Sequence, residues 1–362
     1  MGGGVAKKSI SALLLWAAGA VVLALCSFNT TPLNPFYGGD AHFFALMGRM
    51  TAEGCLPFAD VYDQKGPLVF YLNALGWLIL PGKGGMFLLQ SLFFAASLGL
   101  VYKLCRLWGT VHQSLAGLAI FVAVYASCLW GGNMTEEYSL PLCLLPSYLV
   151  LCRLKNGGLQ ALRPAPLMLA GACLGLLAFL RLNNAAPLCG VLFGLVFCAR
   201  GMRDWVRLFV LAYSAVAGLV AVCVPVCVFF HTQGALHDML MGTFIHNWAY
   251  ATGHTAGRGL VQTLQVAAQA SSILLLGWLV LRKRGGRGTP APLPPAERAL
   301  VAFAAFSALV PALGPASSHY FIMATPAIAL TFVLFLTKVH PGRAGRGVFA
   351  ALLLLPFALD AA

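Results

Sequence analysis

Charge is what this sequence has least of. Only 9% of its 362 residues are Asp, Glu, Lys or Arg, and just 10 of them are acids. A soluble domain carries about 25% charged residues, so this composition cannot cover itself with a water-compatible surface. That excludes an ordinary soluble protein, and equally a disordered chain, which needs low hydrophobicity. Also missing are a small-x-small cleavage site after the first apolar run, a fixed-period repeat, an H-E-x-x-H pattern and a loop D-x-D. Cysteine is not scarce, with 11 residues, but all except Cys55 lie in or beside apolar stretches. With no second loop cysteine to pair with Cys55, neither a disulfide framework nor a thiolate metal site is expected.

What remains is hydrophobic: 60% of the chain is apolar. A spanning helix needs about 20 apolar residues. Candidate stretches fall near 9–28, 84–104, 113–130, 139–152, 165–180, 185–199, 206–230, 263–281, 299–316, 319–337 and 347–359. The expectation is an all-α, polytopic transmembrane bundle of about eleven spans. Leu23-Ala24-Leu25-Cys26 approaches a lipoprotein cleavage box, but Leu25 is too large for the position before the cysteine. The first run therefore reads as an uncleaved helix.

The formal net charge of +13 invites a nucleic-acid reading. In a membrane protein it reads as topology, because Lys and Arg are retained on the cytoplasmic side. The stretch 67–81 decides the arrangement. It is apolar but short, with a proline at each end, which suits an interfacial segment rather than a crossing. If it does not cross, only Arg49, Lys65, Lys83, Arg181 and Arg258 of the 23 basic residues fall outside. If it crosses, that bias reverses. The non-crossing reading puts the N-terminus in the cytoplasm and leaves Asp204 and Glu297 as the only inside acids. Residues 282–297 read as a basic, then Pro-rich, cytoplasmic linker.

The first outside loop, 29–83, is the most unusual region. Gly38-Gly39-Asp40 opens it, with Asp40 where an N-cap would stand. Phe43, Leu46, Met47 and Met50 follow at helical spacing, the pattern of an amphipathic helix in the interface, and Gly54 ends it. Pro57-Phe58-Ala59-Asp60-Val61-Tyr62-Asp63-Gln64-Lys65-Gly66-Pro67 then leads into the short apolar segment. A plain helix cap reads equally well for Asp40, a snorkelling side chain for Lys65, and turn residues for Asp60 and Asp63.

Four further places carry polar groups on the same side. Glu136 and Glu137 start a helix after Gly131-Gly132-Asn133, as dipole-complementing charges or as a second acidic site. Arg181, at the Arg181-Leu182-Asn183-Asn184 junction, runs against the topological bias; it reads as a phosphate clamp or as a residue capping helix-end carbonyls. The loop 231–262 holds His231, His237, His246 and His254 with Trp248 and Tyr250, without metal-type spacing. It reads as an aromatic cover over the bundle, or as a sugar-stacking or acceptor-binding lid. His319-Tyr320-Phe321 opens a span from the outside, where His319 meets a lipid phosphate or anchors the interface.

Taken in order, these residues resemble the GT-C membrane glycosyltransferases. The nearest branch is the protein O-mannosyltransferase, aminoarabinose transferase and lipopolysaccharide-core glycosyltransferase group, a family 39-like set. The match is carried by Asp40, Gly54, Pro57, Tyr62-Asp63-Gln64-Lys65-Gly66-Pro67, Glu136-Glu137-Tyr138 and, more loosely, His319-Tyr320-Phe321 with Pro326. It covers residues 8–200 well and the rest loosely. Residues 1–200 would then be the catalytic module and 201–362 a variable transmembrane part.

The resemblance implies an enzyme with a polyprenyl-phosphate sugar donor, a glycan, lipid or protein acceptor, and inversion at the anomeric carbon. It implies the outer face of a bacterial inner membrane, with membrane lipids as partners and no nucleic acid. Asp40 would be the general base, Asp63 part of the same loop site, and Lys65 near the donor phosphate. Glu136 or Glu137 would replace the family's second aspartate, and Tyr62, Arg181, His319 and Tyr320 would bind substrate. No cofactor is implied and a metal is not favoured. His319 stands where relatives often show arginine. Many relatives continue into more spans or an outside domain, so this chain is a compact member or a truncated reading frame.

Two other classes compete with this reading. A transporter or flippase would place ionisable groups at mid-span and show inverted repeats. A non-catalytic assembly subunit would not need the Asp-x-Lys-Gly-Pro loop.

Overall fold

The computed structural model describes residues 2–35, 38–249, 293–312 and 317–361, with a few helical residues between 266 and 279. Among them no strand forms, and the elements are helices. The expected span 263–281 and most of the linker 282–297 lie outside the described residues, as do Tyr250, His254 and Arg258.

Helix α1 (Gly2–Cys26) runs antiparallel to α4 (Lys83–Arg106), joined where the Trp16 indole donates to Ser91 (2.9 Å). Between them lie α2 (Gly39–Ala52) and α3 (Pro67–Ile79). Helix α3 has 13 residues, which at 1.5 Å per residue is about 20 Å and too short for a hydrocarbon core of about 30 Å. Lys83, the first residue of α4, donates to the carbonyls of Phe28 (3.2 Å) and Asn34 (2.7 Å), just beyond α1. The chain therefore leaves α1 and enters α4 at the same end of the bundle, and α3 does not cross.

Helices α5 (Val111–Cys128), α6 (Thr135–Gly157), α7 (Pro164–Arg181) and α8 (Ala186–Gly194) follow. The span expected at 139–152 is longer than its apolar run, so Glu136 and Glu137 sit in its first helical turn. At Arg181 the backbone becomes extended (φ −165°, ψ 112°) and a short 3-10 segment, Leu182–Ala185, reverses the chain. Then α9 (Met202–Thr232) packs along α7. The small helix α10 (Leu236–Leu240) continues into a π-helical turn, Met241–His246. Beyond the undescribed stretch come α11 (Pro295–Ala312), α12 (Thr325–Lys338) and α13 (Arg343–Ala361). The span expected from residue 319 begins as a 3-10 segment, Ser318–Ala324, and becomes α-helical at Thr325.

Among the described residues, five segments are long and apolar enough to cross a membrane: Lys83–Arg106, Val111–Cys128, Pro164–Cys198, Met202–Thr232 and Ser318–Lys338. The protein is built to pass through a bilayer several times. Helices from both expected parts share one core, since α11 packs on α8 and α12 and α13 pack on α5. Helix α9 contributes little to that core and leaves Phe209, Tyr213, Val216 and Val220 exposed along one flank, a surface suited to lipid.

Without a hydrophobic drive between helices in lipid, close contact needs small residues. Gly171 and Gly175 of α7 supply it, four residues apart. A Cβ on Gly171 would fall 1.7 Å from the Ala215 carbonyl oxygen of α9. We expect Gly171→Val to lower stability by about 1–3 kcal/mol, as overpacking does, read as a drop in thermal midpoint in detergent. Gly201→Ala, which meets nothing within 4 Å, is the matched control and should leave the midpoint unchanged.

Candidate functional site

The first outside loop folds as a wedge. Phe58 takes a positive φ (73°), and its N–H donates to the Val61 carbonyl (2.6 Å), closing a tight turn. Its ring is buried between Phe70 of α3 (centroids 6.2 Å apart) and Phe230 of α9 (5.9 Å). Each such burial is worth on the order of 1.5–3 kcal/mol, enough to seat the loop on the bundle. Asp60 accepts from the Leu56 N–H (2.7 Å) at the surface and is a turn residue. Asp63 accepts from the Gln64 N–H (2.7 Å). Tyr62 is exposed and hydrogen-bonded to His246 of the π-helical turn.

Lys65 is carried inward by the next two residues. Pro67 starts α3, its fixed φ pre-set for a helix. Gly66 lies against the end of α7, where an added Cβ would stand 2.0 Å from the Phe179 carbonyl oxygen. Lys65 is therefore buried (7% exposed) within electrostatic reach of Arg181, Asp63, Asp40 and Glu136. Burial and then the neighbouring Arg181 push its pKa down, against the three carboxylates. Asp63 is shifted the other way: burial pushes its pKa up, and Lys65 opposes this.

Asp40 is not the N-cap of α2. Gly38 holds that place, and Asp40 is the second helical residue, exposed. The buried stripe of α2 is Ala41, Phe44, Met47 and Gly48, so of the expected apolar face only Met47 turns fully inward, while Phe43 and Leu46 remain exposed. The reason is α3, which occupies the side of α2 nearer the bundle; Gly48 has no side chain because Asn73 of α3 sits there. From its place Asp40 reaches Asp63, Lys65, Arg181 and His319 electrostatically.

The two adjacent glutamates part company. Glu136 is fully buried and pairs with Arg181 of α7 (Oε1 to Nη1, 3.0 Å), while its other oxygen accepts from the Thr135 hydroxyl (3.0 Å). Arg181 also donates to the Tyr320 hydroxyl (2.7 Å) and stacks 4.4 Å above that ring. His319 lies against Tyr320 (centroids 4.4 Å) and Trp130 (6.0 Å), and its Nδ1 is buried with no hydrogen-bond partner among the described residues. Glu137 turns the other way. It caps α6 by accepting from the Met134 N–H (2.8 Å), and it accepts from the Tyr125 hydroxyl (3.0 Å) and the Gln90 amide. Its surroundings are those of a helix cap in a satisfied polar core.

The turn before α6 makes this possible. Trp130, Gly131, Gly132 and Asn133 are four consecutive residues with positive φ, a costly run for the two that carry side chains. It is held from several sides. Asn133 donates to the Ala41 carbonyl (3.1 Å) and the Asn73 side chain (2.9 Å), and accepts from the Tyr138 hydroxyl (2.6 Å). Gly131 accepts from the Asn29 N–H (2.9 Å), and a Cβ on Gly132 would strike Ser27. The turn thereby locks the N-terminus of α2 to that of α6.

Five separate segments thus bring Asp40, Asp63, Lys65, Glu136, Arg181, His319 and Tyr320 to one end of the bundle. Sequence reading missed Trp130, Asn133, Asn73, Gln90 and Tyr125. Only Asn133 stood in a stretch that had been singled out, Gly131-Gly132-Asn133, and there only as what precedes the helix of Glu136 and Glu137. Chemically, the site gathers two buried cations, Lys65 and Arg181, among carboxylates of which Asp40 faces solvent. The opposite end carries Arg106, Arg153, Arg163, Arg200, Arg203 and Arg343.

No protein-family model and no curated protein matches this chain. Among solved structures, it is similar to the Archaeoglobus fulgidus oligosaccharyltransferase, a GT-C fold glycosyltransferase. With that enzyme tethered to an acceptor peptide containing the NVT sequon via a disulfide bond, it shares 15% identity and a TM-score of 0.50, covering 98% of this chain. With the apo form the values are 13%, 0.51 and 97%. The chain spans 55% of the length of that protein in both cases. At such identity the likeness is one of fold, and the fold is of the GT-C kind.

Proposed function

We propose that this protein is an inverting membrane glycosyltransferase that moves a sugar from a polyprenyl-phosphate carrier to a hydroxyl of a cell-envelope glycan, lipid or protein. The observation that carries the reading is the convergence of Lys65 and Arg181 with Asp40, Asp63 and Glu136 at one bundle end, beside apolar helices. A lipid-borne phosphate reaches such a site from the bilayer, and a water-borne acceptor reaches it from the other side. Similarity of fold to an oligosaccharyltransferase supports the same class.

In the reaction, the anomeric carbon–oxygen bond to phosphate breaks and its electron pair stays on the phosphate. The acceptor oxygen bonds that carbon from the opposite face. Lys65 and Arg181 stabilise the charge that develops on the leaving group. Asp40 takes the acceptor proton, with Asp63 beside it; a carboxyl whose pKa is raised by burial, as at Asp63, lies nearer working pH and suits proton exchange. His319, Tyr320 and Tyr62 line the donor and acceptor approaches. The basic residues gathered at the opposite end support a cytoplasmic position for that end, and with it a site on the outer face of a bacterial inner membrane. A transporter would hold its ionisable groups nearer mid-span.

Asp40→Asn and Lys65→Ala are each expected to abolish transfer from a polyprenyl-phosphate sugar in membrane vesicles at unchanged protein level. Full activity of Asp40→Asn ends the assignment of the base. Liposomes that move a solute without forming a glycosidic product would replace the enzyme reading with the transporter.

A further inference from the structure

Trp130 takes no part in the reaction described above, although it stands on the rim of the site. Its side chain is 57% exposed, and its backbone lies in the left-handed region (φ 52°), which is costly for a bulky residue. Gly131 and Gly132 take such a conformation freely. Position 130 therefore carries an indole where glycine would cost nothing, and leaves it largely uncovered. Folding gains little from a ring so placed, because the hydrophobic gain follows the area buried.

The surroundings of the ring are more informative. Its Nε1 stands 4.0 Å from the point that a Cβ on Gly39 would occupy. Asn133, in the same turn, donates to the Ala41 carbonyl (3.1 Å). The turn is thus fixed to α2 on both sides of Asp40, the exposed carboxylate. The indole also meets His319 (centroids 6.0 Å apart). That side chain is 7% exposed, and its Nδ1 has no hydrogen-bond partner among the described residues. An open indole face, an unpaired imidazole nitrogen and a carboxylate therefore share one rim. An indole offers an apolar face with a polar N–H at its edge. A pyranose ring matches the set: one face of C–H groups for the indole, hydroxyls for the imidazole, and a hydroxyl whose proton a carboxylate can take. A serine or threonine side chain, or a glycerol headgroup, has no flat face to lay on the ring.

We infer that Trp130 is the platform on which the acceptor's sugar ring lies, so that the acceptor is a saccharide and not a protein hydroxyl. This rests on the reading of Asp40 as the base, because the place beside Asp40 assigns the ring to the acceptor and not to the donor. The His319 Nδ1 bonds a hydroxyl of the same ring. The turn holds the platform in place before substrate arrives, which spares the cost of ordering it on binding. Trp130 is thus a specificity-determining residue, and Asp40 remains the group that takes the proton. Tryptophan also gathers at headgroup depth as a membrane anchor, but an anchor gains nothing from a strained backbone or from a carboxylate beside it.

The experiment has two arms. In the first, the full chain is labelled with fluorotryptophan and purified in an amine-oxide detergent, which carries no sugar. The Trp130 resonance is identified by its loss in Trp130→Phe. Methyl glycosides of glucose, galactose, mannose and N-acetylglucosamine are titrated, with a threonine peptide and glycerol phosphate as non-saccharide probes. At least one glycoside is expected to shift that resonance saturably, and neither other probe should. In the second arm, membrane vesicles receive a polyprenyl-phosphate sugar. Trp130→Leu should lower the initial rate of transfer by about tenfold or more with the donor KM unchanged, and Trp130→Phe, which keeps an aromatic face, should recover a large part. No shift by any glycoside, or a shift by the peptide or glycerol phosphate instead, overturns the inference; the binding arm reads wild type, so it holds even if Trp130→Leu does not fold. A raised donor KM in Trp130→Leu places the ring on the donor and overturns it too, and a wild-type rate makes the indole an anchor. All of these leave the glycosyltransferase reading intact. Wild-type vesicles that transfer nothing sink that reading, and this one with it.

Discussion

Arg181→Ala is expected to abolish sugar transfer and to destabilise the protein by about 3–5 kcal/mol. The stability loss is that of a buried ion pair deprived of one partner, which leaves the other charge desolvated and alone. Glu136, fully buried, would be that charge. The loss is larger than for the exposed pair Arg49–Glu53, where solvent screens the charges and the contribution is at most about 1 kcal/mol. The two effects separate in the double variant. Removing Glu136 as well, in Arg181→Ala/Glu136→Ala, leaves no orphaned charge and should recover a large part of the stability. It should recover none of the activity, because in the proposed reaction the cation opposite the leaving phosphate is still gone. Thermal midpoints and initial transfer rates of the two single variants and the double variant decide the matter. A single variant as stable as wild type would show that the pair is hydrated.

Gly66→Ala is expected to lower transfer by at least about 100-fold, although the substitution adds one methyl group. The reason is not backbone freedom, since Gly66 has φ −66° and ψ 154°, which any residue adopts. The added carbon would lie 2.0 Å from the Phe179 oxygen and 2.4 Å from its carbonyl carbon. These are backbone atoms of α7 that cannot rotate away, so the loop must lift. Lys65, the adjacent residue, lifts with it. Displacing a reacting or charge-stabilising group by about 1 Å costs on the order of 100-fold in rate. Helix α7 itself keeps its contacts with α6 and α9, so the thermal midpoint should fall far less than the rate. A Gly66→Ala protein with wild-type kcat would show that Lys65 does not depend on this contact.

These two residues also show where sequence reading ends. The membrane class, the helical architecture and several of the spans were legible in the sequence, five segments of the described residues being long and apolar enough to cross where eleven spans were expected for the whole chain, because hydrophobic length and scarcity of charge are properties of local composition. The non-crossing nature of α3 was legible too, through its 13-residue length and the bias of basic residues. Lys65 and Arg181 stood out as basic residues on the side where few occur. Sequence could not say that they lie together, since 116 positions separate 65 from 181 and only the packing of α3 against α7 joins them. Nor could it divide the work between Glu136 and Glu137. Adjacent residues on a helix point about 100° apart, and which of the two faces Arg181 depends on how α6 is rotated. That rotation is set by the positive-φ turn at 130–133 and by Asn133, Gln90 and Tyr125, none of which carries a local signature of its role.

The sequence by itself determined that this protein is a helical membrane bundle with acids and a few unusual cations on one side, because partition between water and lipid acts residue by residue. Only the tertiary structure decided that Glu136 and not Glu137 joins those cations, that Gly66 seats Lys65, and that Asp40 lies within their field. Those outcomes depend on the contact of segments far apart in the chain, where steric fit and charge pairing act and local composition does not.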